Sequence, residues 1–216
     1  GSGISGLSAA RYLSRQHDVT LYEQDARVGG HTNTVVVPAM DGATVSVDTG
    51  WIVYNGVNYP NLTGLFGELD VKTRDTQMSF SVSLGDGAYE WKGSDQLFSV
   101  FAQPSNIFRP SHIRMLLDIL RLNKLCSARL KSGVLPEGSL GEFLRVEKFS
   151  SELQSRYLLP MAGMIWSCSP QKATEYPAAD FMSSFDSHGL FTTMDQPQWK
   201  RVSGASRTYV KKSLAR

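Results

Sequence analysis

Three glycines at the beginning of the chain, Gly1, Gly3 and Gly6, have the spacing of a turn that binds a dinucleotide. In such a turn, Gly1 permits a tight bend, Gly3 lets the backbone approach a pyrophosphate, and Gly6 lets the following helix pack closely on a strand. The phosphates would lie at the positive end of a helix that begins near Ile4. An acid, Glu23, follows about 20 residues later, where it would accept hydrogen bonds from a ribose hydroxyl. The binding residues predicted in this first stretch are Gly1, Ser2, Gly3, Ile4, Ser5, Gly6, Glu23 and Gln24.

Gly-Ser-Gly at the start of a chain is also typical of a cloning remnant. However, residues 7–13 continue with helical apolar spacing, and residues 19–22 predict a short buried strand that ends at Glu23. We therefore interpret Gly1 as native sequence. The strand expected before Gly1 is missing, and the last helix stops at Arg216 without a cap, so we expect a chain truncated at both ends.

A second candidate segment contains Arg27, Gly29 and Gly30. Paired glycines give the backbone freedom for another approach to the cofactor, and Arg27 offers a fork of donors for phosphate oxygens. The alternative is an ordinary Gly-Gly turn beside a solvated arginine. Next to the first motif, we favour the binding role and extend it to His31 and Thr32.

The elements that must position these residues can be predicted from turn signals and apolar periodicity. Two hairpins are expected, residues 34–47 around Asp41-Gly42 and residues 78–91 around Asp86-Gly87. One helix is predicted to begin near Pro60. Three more are predicted over residues 113–130, 140–146 and 152–166, and Pro160 is expected to kink or divide the last of them. The tail predicts a strand or loop, a small-residue turn and a helix.

This order of elements predicts an α/β fold: an incomplete, Rossmann-like nucleotide-binding domain interrupted by a mainly helical substrate-domain segment. We expect residues 1–75 to form the Rossmann-like part and residues 76–197 the substrate segment. Residues 198–216 would then return toward the cofactor-binding domain.

Composition excludes several classes of function. The formal net charge is +2, and Lys and Arg are scattered, so we expect no nucleic-acid partner. No apolar run is long enough to span a membrane. The four histidines lack the spacing of metal ligands. Cys126 and Cys168 lie far apart, which favours free thiols and, by default, the cytoplasm.

With these residues in hand, the chain resembles the flavin-containing amine oxidoreductase superfamily, which includes monoamine oxidases, protoporphyrinogen oxidase and phytoene desaturases. The match rests on the glycine turn, the acid at Glu23 and the Arg27-Val28-Gly29-Gly30 sequence. The resemblance implies FAD as the cofactor, with the glycine turn at the pyrophosphate and Glu23 at the adenosine ribose. It also implies that Arg27, Gly29 and Gly30 lie beside the phosphates and ribityl chain.

Further segments resemble one subgroup of FAD/NAD(P)-binding proteins associated with bacterial cyclopropane-fatty-acid synthases. They are residues 48–55, 78–82, 165–168 and 197–199. This resemblance implies a functional link to such a synthase and contact of Gly50 and Trp51 near the isoalloxazine. Two positions depart from the pattern: His31 replaces the usual arginine, and Gly204-Ala205-Ser206 replaces Gly-Gly-Ser, where we expect a local rearrangement.

The resemblance therefore implies an FAD-dependent oxidoreductase of the amine-oxidase type that takes a hydride from an amine or small hydrophobic substrate, with peripheral membrane contact. The alternatives are a flavin-dependent desaturase or isomerase, or a non-catalytic flavin-binding partner of a lipid-modifying synthase. Catalytic residues are not assigned. Trp166 and three phenylalanines could line a substrate cavity, although core packing is favoured for each. We expect the 216 residues alone to bind FAD weakly or not at all, because the first strand is missing.

Overall fold

The computed structural model describes residues 1–93, 97–191 and 197–215. The chain divides into two compact units. The first comprises Gly1–Gln77 and Pro197–Arg216, and the second comprises Met78–Gln196.

Within the described residues, strands and helices are numbered in chain order. The strands are β1 (Thr34–Pro38), β2 (Thr44–Asp48), β3 (Tyr54–Asn55), β4 (Thr73–Thr76), β5 (Phe80–Leu84), β6 (Tyr89–Gly93) and β7 (Trp199–Val202). The α-helices are α1 (Ile4–Leu13), α2 (Pro60–Glu68), α3 (Pro110–Ser132), α4 (Leu140–Val146), α5 (Ser151–Leu153), α6 (Leu159–Trp166), α7 (Pro170–Glu175), α8 (Ala178–Ser187) and α9 (Arg207–Leu214). Two 3-10 segments, Leu97–Phe101 and Pro104–Phe108, precede α3, and a π-helical segment, Gln154–Leu158, joins α5 to α6.

The first unit contains the predicted hairpin of β1 and β2. The strands pair antiparallel from Thr34 opposite Asp48 to Pro38 opposite Thr44. Gly42 has a φ of +80°, and the Asp41 carboxylate accepts a hydrogen bond from the Ala43 amide at 3.0 Å. The Asp-Gly signal in the sequence is therefore confirmed as a hairpin turn.

The second sheet of this unit is antiparallel, in the order β3-β7-β4. Strand β4 was not predicted because its sequence, Thr-Arg-Asp-Thr, has no apolar alternation. It pairs along its whole length with β7, and Lys200 lies 3.6 Å from Asp75 across the pair. Of the strand or loop predicted in the tail, the strand forms as β7, and the predicted helix after the turn is α9.

The predicted strand over residues 19–22 is wrong. Tyr22 is 81% exposed, and no strand in the described part of the chain pairs with this segment. A short apolar run does not form a strand without a neighbour to share its backbone hydrogen bonds.

The core of the first unit lies where three helices meet the β3-β7-β4 sheet. Helix α1 contributes Leu7, and the side chains that pack with it are Tyr54, Leu65, Phe66, Leu69, Val71, Val202, Tyr209 and Val210. Burial of these side chains fixes the start of α1, and with it the glycine turn, on the body of the unit.

The second unit begins with the predicted hairpin of β5 and β6, and its remaining elements are helical. Helix α3 starts earlier than predicted, at Pro110, because proline suits the first helical position, and it ends before Gly133, which has a φ of +72°. Helix α4 has its predicted bounds, and the Ser139 hydroxyl caps it by accepting from the Glu142 amide at 3.2 Å.

The helix predicted over residues 152–166 is divided near Pro160, as expected. Proline has no amide hydrogen and cannot donate to the carbonyl of Arg156, four residues before it. The indole N–H of Trp91, on β6, donates to that carbonyl at 3.0 Å. A side chain from the hairpin thus satisfies a backbone acceptor near the proline.

The aromatic side chains considered for a substrate cavity belong to the core of the second unit. Phe181, Phe185 and Phe191 are each at most 5% exposed and pack on one another, and half-buried Trp166 packs against them. Both cysteines are free thiols, and burial raises the pKa of Cys126 to about 12. None of the helices in the described ranges is long and apolar enough to cross a membrane.

We predict that Trp91→Phe lowers the free energy of unfolding by about 2 kcal/mol or more, because it removes both core volume and the donor to the Arg156 carbonyl. About 1 kcal/mol of this loss should be recovered when the same substitution is made in a Pro160→Ala background, where residue 160 regains its N–H. Denaturant unfolding of the four proteins measures the coupling. A loss that is the same in both backgrounds would contradict this assignment.

Candidate functional site

The glycine turn leads directly into α1, as the sequence predicts. Gly3 is the N-cap residue, with φ −64° and ψ 175°, and no side chain caps the helix. The first turn of the helix contains no acidic residue. The amides at this end, from Ile4 onward, therefore remain as donors for an anion, and the helix dipole favours one there.

Two of the predicted glycines are required by contacts within the protein. A Cβ atom on Gly6 would lie 1.9 Å from the carbonyl oxygen of Gly1. A Cβ atom on Gly30 would lie 2.7 Å from the Cα atom of Gly3, and Gly30 has a φ of +57°. The close approach of these backbones brings the turn and the second candidate segment together.

Glu23 lies beside the turn and is held by hydrogen bonds from it. Its Oε2 atom accepts from the hydroxyl of Ser2 and from the Ser2 amide at 2.7 Å, and its Oε1 atom accepts from the amides of Gln24 and Asp25. These bonds, led by the Ser2 hydroxyl, lower the pKa of Glu23 to about 2. The carboxylate is therefore ionised throughout the physiological pH range and acts as an acceptor.

Ser2 and Arg27 fix the shape of the second segment. The fully buried Ser2 receives the Gly29 amide on its hydroxyl at 3.0 Å and on its carbonyl at 3.1 Å. Arg27 donates from Nη1 to the Thr32 carbonyl at 2.6 Å and from Nη2 to the Gly30 carbonyl at 2.8 Å. The guanidinium thus supports the loop from within, and its predicted contact with phosphate stays a prediction.

Gly50 and Trp51, although adjacent in sequence, contact different groups of residues. A Cβ atom on Gly50 would lie 2.0 Å from the carbonyl oxygen of His31, so Gly50 belongs to the group formed by the turn and the second segment. The half-buried Trp51 packs on Tyr54, Phe66 and Tyr209, with ring centroids 5.9, 6.1 and 5.9 Å away. Its position is explained by this aromatic packing.

Several supporting residues were not predicted. The Asp48 carboxylate accepts from the Ser206 amide at 2.9 and 3.0 Å and from the Ser206 hydroxyl at 2.6 Å. The Thr34 hydroxyl donates to Asp48 at 2.5 Å and accepts from the Arg207 amide at 3.1 Å. Asp48 and Thr34, both in the β1-β2 hairpin, thus accept hydrogen bonds from the backbone amides at the N-terminal end of α9. A signal was available in the sequence, since a serine at the end of a small-residue turn is typical of a helix start.

Helix α9 also reaches the second candidate segment. The hydroxyl of Tyr209 shares a hydrogen bond of 2.5 Å with the Thr32 hydroxyl in the interior, and burial raises the pKa of Tyr209. Before the helix, Ala205 has a φ of +73°, a conformation that favours glycine. Ala205, which replaces the glycine of the family pattern, thus keeps a backbone conformation that favours glycine, and the local rearrangement expected there stays a prediction.

Among the described residues, no group of three or more His, Cys, Asp or Glu side chains is arranged to hold a metal ion. His17 is exposed, and the Nδ1 atom of His188 lies 2.7 Å from the Ser184 carbonyl oxygen. The described site thus offers backbone amides at the start of α1 and the ionised carboxylate of Glu23.

Comparison with known proteins shows which family the chain belongs to. Residues 4–199 match the family described as flavin containing amine oxidoreductase. The chain belongs to this family. The resemblance inferred from the glycine turn is thereby confirmed, as are the predicted fold class and FAD as the cofactor.

Relatives of known sequence are distant. The Mycobacterium tuberculosis protein AofH, named as a flavin-containing monoamine oxidase, is 28% identical over 233 residues that cover 100% of this chain and 46% of AofH. The 15-cis-phytoene desaturase of Solanum lycopersicum is 27% identical over 148 residues, 63% of this chain and 22% of the desaturase.

Solved structures agree on the fold. Putrescine oxidase bound to putrescine has a TM-score of 0.62 at 20% identity and is matched over 100% of this chain and 47% of its own. An oxidoreductase from Methanosarcina mazei has a TM-score of 0.53 at 18% identity. The chain thus spans about half the length of the relatives that it matches along its whole length.

We predict that Asp48→Ala lowers the free energy of unfolding by about 2–3 kcal/mol, because the buried Ser206 amide and hydroxyl lose a charged acceptor. Asp41→Ala, which removes an exposed acceptor in the β1-β2 turn, is the matched control and should cost less than about 1 kcal/mol. Thermal or denaturant unfolding compares them. Equal losses at the two positions would show that the Asp48 network does not stabilise the unit.

Proposed function

We propose that this protein is an FAD-dependent oxidoreductase of the amine-oxidase type, which transfers a hydride from its substrate to the flavin. The glycine turn and α1 would hold the pyrophosphate, and Glu23 would accept hydrogen bonds from the adenosine ribose. Arg27, with Gly29 and Gly30, would present the second segment to the phosphates and ribityl chain.

The main support for this proposal is the backbone conformation of Gly3 and the free space around it. A Cβ atom on Gly3 would come no closer than 4.0 Å to another residue, and its φ of −64° is open to any amino acid. Unlike Gly6 and Gly30, Gly3 is not required by contacts within the protein. Its missing side chain leaves space at the N-terminal end of α1, where a ligand with a pyrophosphate can approach the amides.

Glu23 is the ionised acceptor that we propose for the ribose. A carboxylate offers about four lone-pair sites, and in this structure they receive four hydrogen bonds from Ser2, Gln24 and Asp25. A ribose hydroxyl would therefore share an oxygen of Glu23 with one of these donors or displace it. Because the pKa of Glu23 is about 2, its carboxylate is charged at every pH at which the protein would work.

When bound, FAD supplies the two-electron acceptor for a hydride from a substrate C–H bond. The protein's own contribution is to hold the dinucleotide in one orientation and to shape the substrate space. No residue is assigned a catalytic role. The substrate domain would be the mainly helical segment 76–197, between the two parts of the cofactor-binding domain.

The substrate proposed is an amine or a small hydrophobic molecule. AofH is named as a monoamine oxidase, putrescine oxidase binds putrescine, and the tomato relative is a phytoene desaturase. We also propose a functional link to a cyclopropane-fatty-acid synthase, which rests on the resemblance of residues 48–55 and 165–168 to that subgroup. The cytoplasm is proposed as the compartment because Cys126 and Cys168 are free thiols.

Two alternatives use the same cofactor site. A desaturase or isomerase would act on an apolar substrate without nitrogen, and a non-catalytic partner of a synthase would bind FAD without reducing it. Reaction with amine and lipid panels separates these functions.

We predict that Gly3→Ser weakens FAD binding by about 10-fold or more without loss of stability. Serine is a favourable N-cap, but its hydroxyl fills the space of the pyrophosphate and competes for the same amides. Isothermal titration of FAD into the protein prepared with all of its natural sequence, alongside denaturant unfolding, measures both effects. Gly67→Ser, at a helical glycine with no atom within 4 Å of an added Cβ, is the control. Unchanged FAD affinity in Gly3→Ser would refute the assignment of this end of α1.

For the reaction, we predict that anaerobic addition of an amine or a lipid substrate bleaches the flavin absorbance of the protein prepared with all of its natural sequence. Bleaching by amines supports the main proposal, and bleaching by apolar lipids alone supports the desaturase alternative. Flavin that is bound but reduced by neither panel would favour the non-catalytic function.

A further inference from the structure

The second unit carries an exposed apolar face. We use the name basic-apolar face for Ile107 and Phe108, at the end of the second 3-10 segment, with Ile113, Leu117 and Leu120 on α3. Phe108 is 86% exposed, and Leu117 and Leu120 are each 62% exposed. The three helical residues follow one another at spacings of four and three, so that they form a single stripe.

The stripe is not a misplaced part of the core. Helix α3 buries His112, Met115, Leu122 and Cys126 completely on its other side. Because these residues already fix the rotation of the helix, the stripe cannot turn inward. Exposed apolar residues are common singly, but three in a row on one helix, with an exposed phenylalanine just before that helix, are characteristic of an interaction surface.

Positive charge surrounds the stripe. Arg109 lies next to Phe108, and Arg114, Arg121 and Lys124 lie along α3. The helix contains a single acid, Asp118, whose side chain is 15% exposed and accepts from the Ser150 amide at 2.9 Å. The exposed face of α3 is therefore basic.

Three of these cations have partners within the protein. Arg114 is 3.5 Å from Glu152 but 65% exposed. Arg121 lies 3.6 Å from Asp118 and donates to the Glu147 carbonyl at 2.7 Å, and the guanidinium of Arg109 lies 5.8 Å from the centre of the Tyr89 ring. Among the described residues, the ion pairs found do not include Arg109 or Lys124. Lys124 follows Leu120 by one helical turn and so extends the stripe with a cation.

We propose that the basic-apolar face docks on an anionic lipid surface, with Phe108, Leu117 and Leu120 entering the interface and Arg109 and Lys124 near lipid phosphates. An amphipathic helix with apolar side chains on the same exposed side as Lys and Arg is suited to lie in the plane of a membrane interface. Long basic side chains can reach the headgroups while their stems remain in apolar surroundings. The inference is independent of the flavin site and goes beyond the proposed oxidoreductase activity.

The shape and charge of the face favour lipid over another protein molecule. In a dimer through this face, the basic residues of the two copies would lie opposite each other, and the repulsion between like charges would disfavour the contact. A helix surface with an exposed phenylalanine is convex. Such a surface fits a lipid interface, which deforms around it, more readily than a protein partner, which would need a groove of matching shape.

Co-sedimentation with vesicles tests the proposal. We expect the protein to sediment with vesicles of equimolar phosphatidylglycerol and phosphatidylcholine, and at least about 10-fold less with phosphatidylcholine alone. The double variant Phe108→Ser, Leu117→Ser should lose about 10-fold or more of the binding to the anionic vesicles. Met40→Ser, at a fully exposed methionine in the first unit, is the control and should bind as the unchanged protein does.

Lys124→Glu supplies an independent variant that leaves the apolar residues intact, and it should also weaken binding to the anionic vesicles. Circular dichroism checks that each variant is folded. Equal sedimentation of the unchanged protein and the double variant would overturn the proposal. It would likewise be overturned by a protein that binds neither vesicle, or by light scattering that shows dimers lost in the double variant without any vesicle binding.

Discussion

Close packing of backbone on backbone at glycine positions is the constraint on which the candidate site depends. Gly6 against the Gly1 carbonyl and Gly30 against Gly3 leave no room for a side chain. These contacts bring the turn, Glu23 and the second segment into one group. Gly3, in contrast, has a φ that any residue can adopt and free space around the position of a Cβ atom, at the N-terminal end of α1. Gly6 and Gly30 are therefore needed for packing within the protein, whereas the space at Gly3 is available to a ligand.

The local signals of the sequence predicted much of the fold. Asp41-Gly42 and Ser139 act over a few residues, so that the hairpin and the capped helix could be identified from neighbours alone. Strand β4 and the Asp48-Ser206 contact depend on partners that lie far away in the chain. The strand expected at residues 19–22 failed for the same reason, because its formation depends on a neighbour that a local apolar pattern does not specify.

Several residues predicted for the site lie together in the structure, but the sequence did not indicate the contacts that each of them makes. The spacing of Gly1, Gly3 and Gly6 indicated a dinucleotide, and family membership agrees. The pattern did not reveal that Ser2 and Arg27 hold the loops by hydrogen bonds to the backbone. Trp51, expected near the flavin ring, packs in an aromatic cluster. Side chains with several donors can bind either ligand or protein, and sequence alone does not decide between them.

The central claim is that the glycine turn and Glu23 bind the ADP portion of FAD. The most direct measurement compares the affinities of FAD and riboflavin for the protein prepared with all of its natural sequence. Our account predicts that FAD binds at least about 100-fold more tightly, since riboflavin lacks the pyrophosphate and adenosine ribose and loses at least two charge-assisted contacts. Equal affinities for FAD and riboflavin would contradict it.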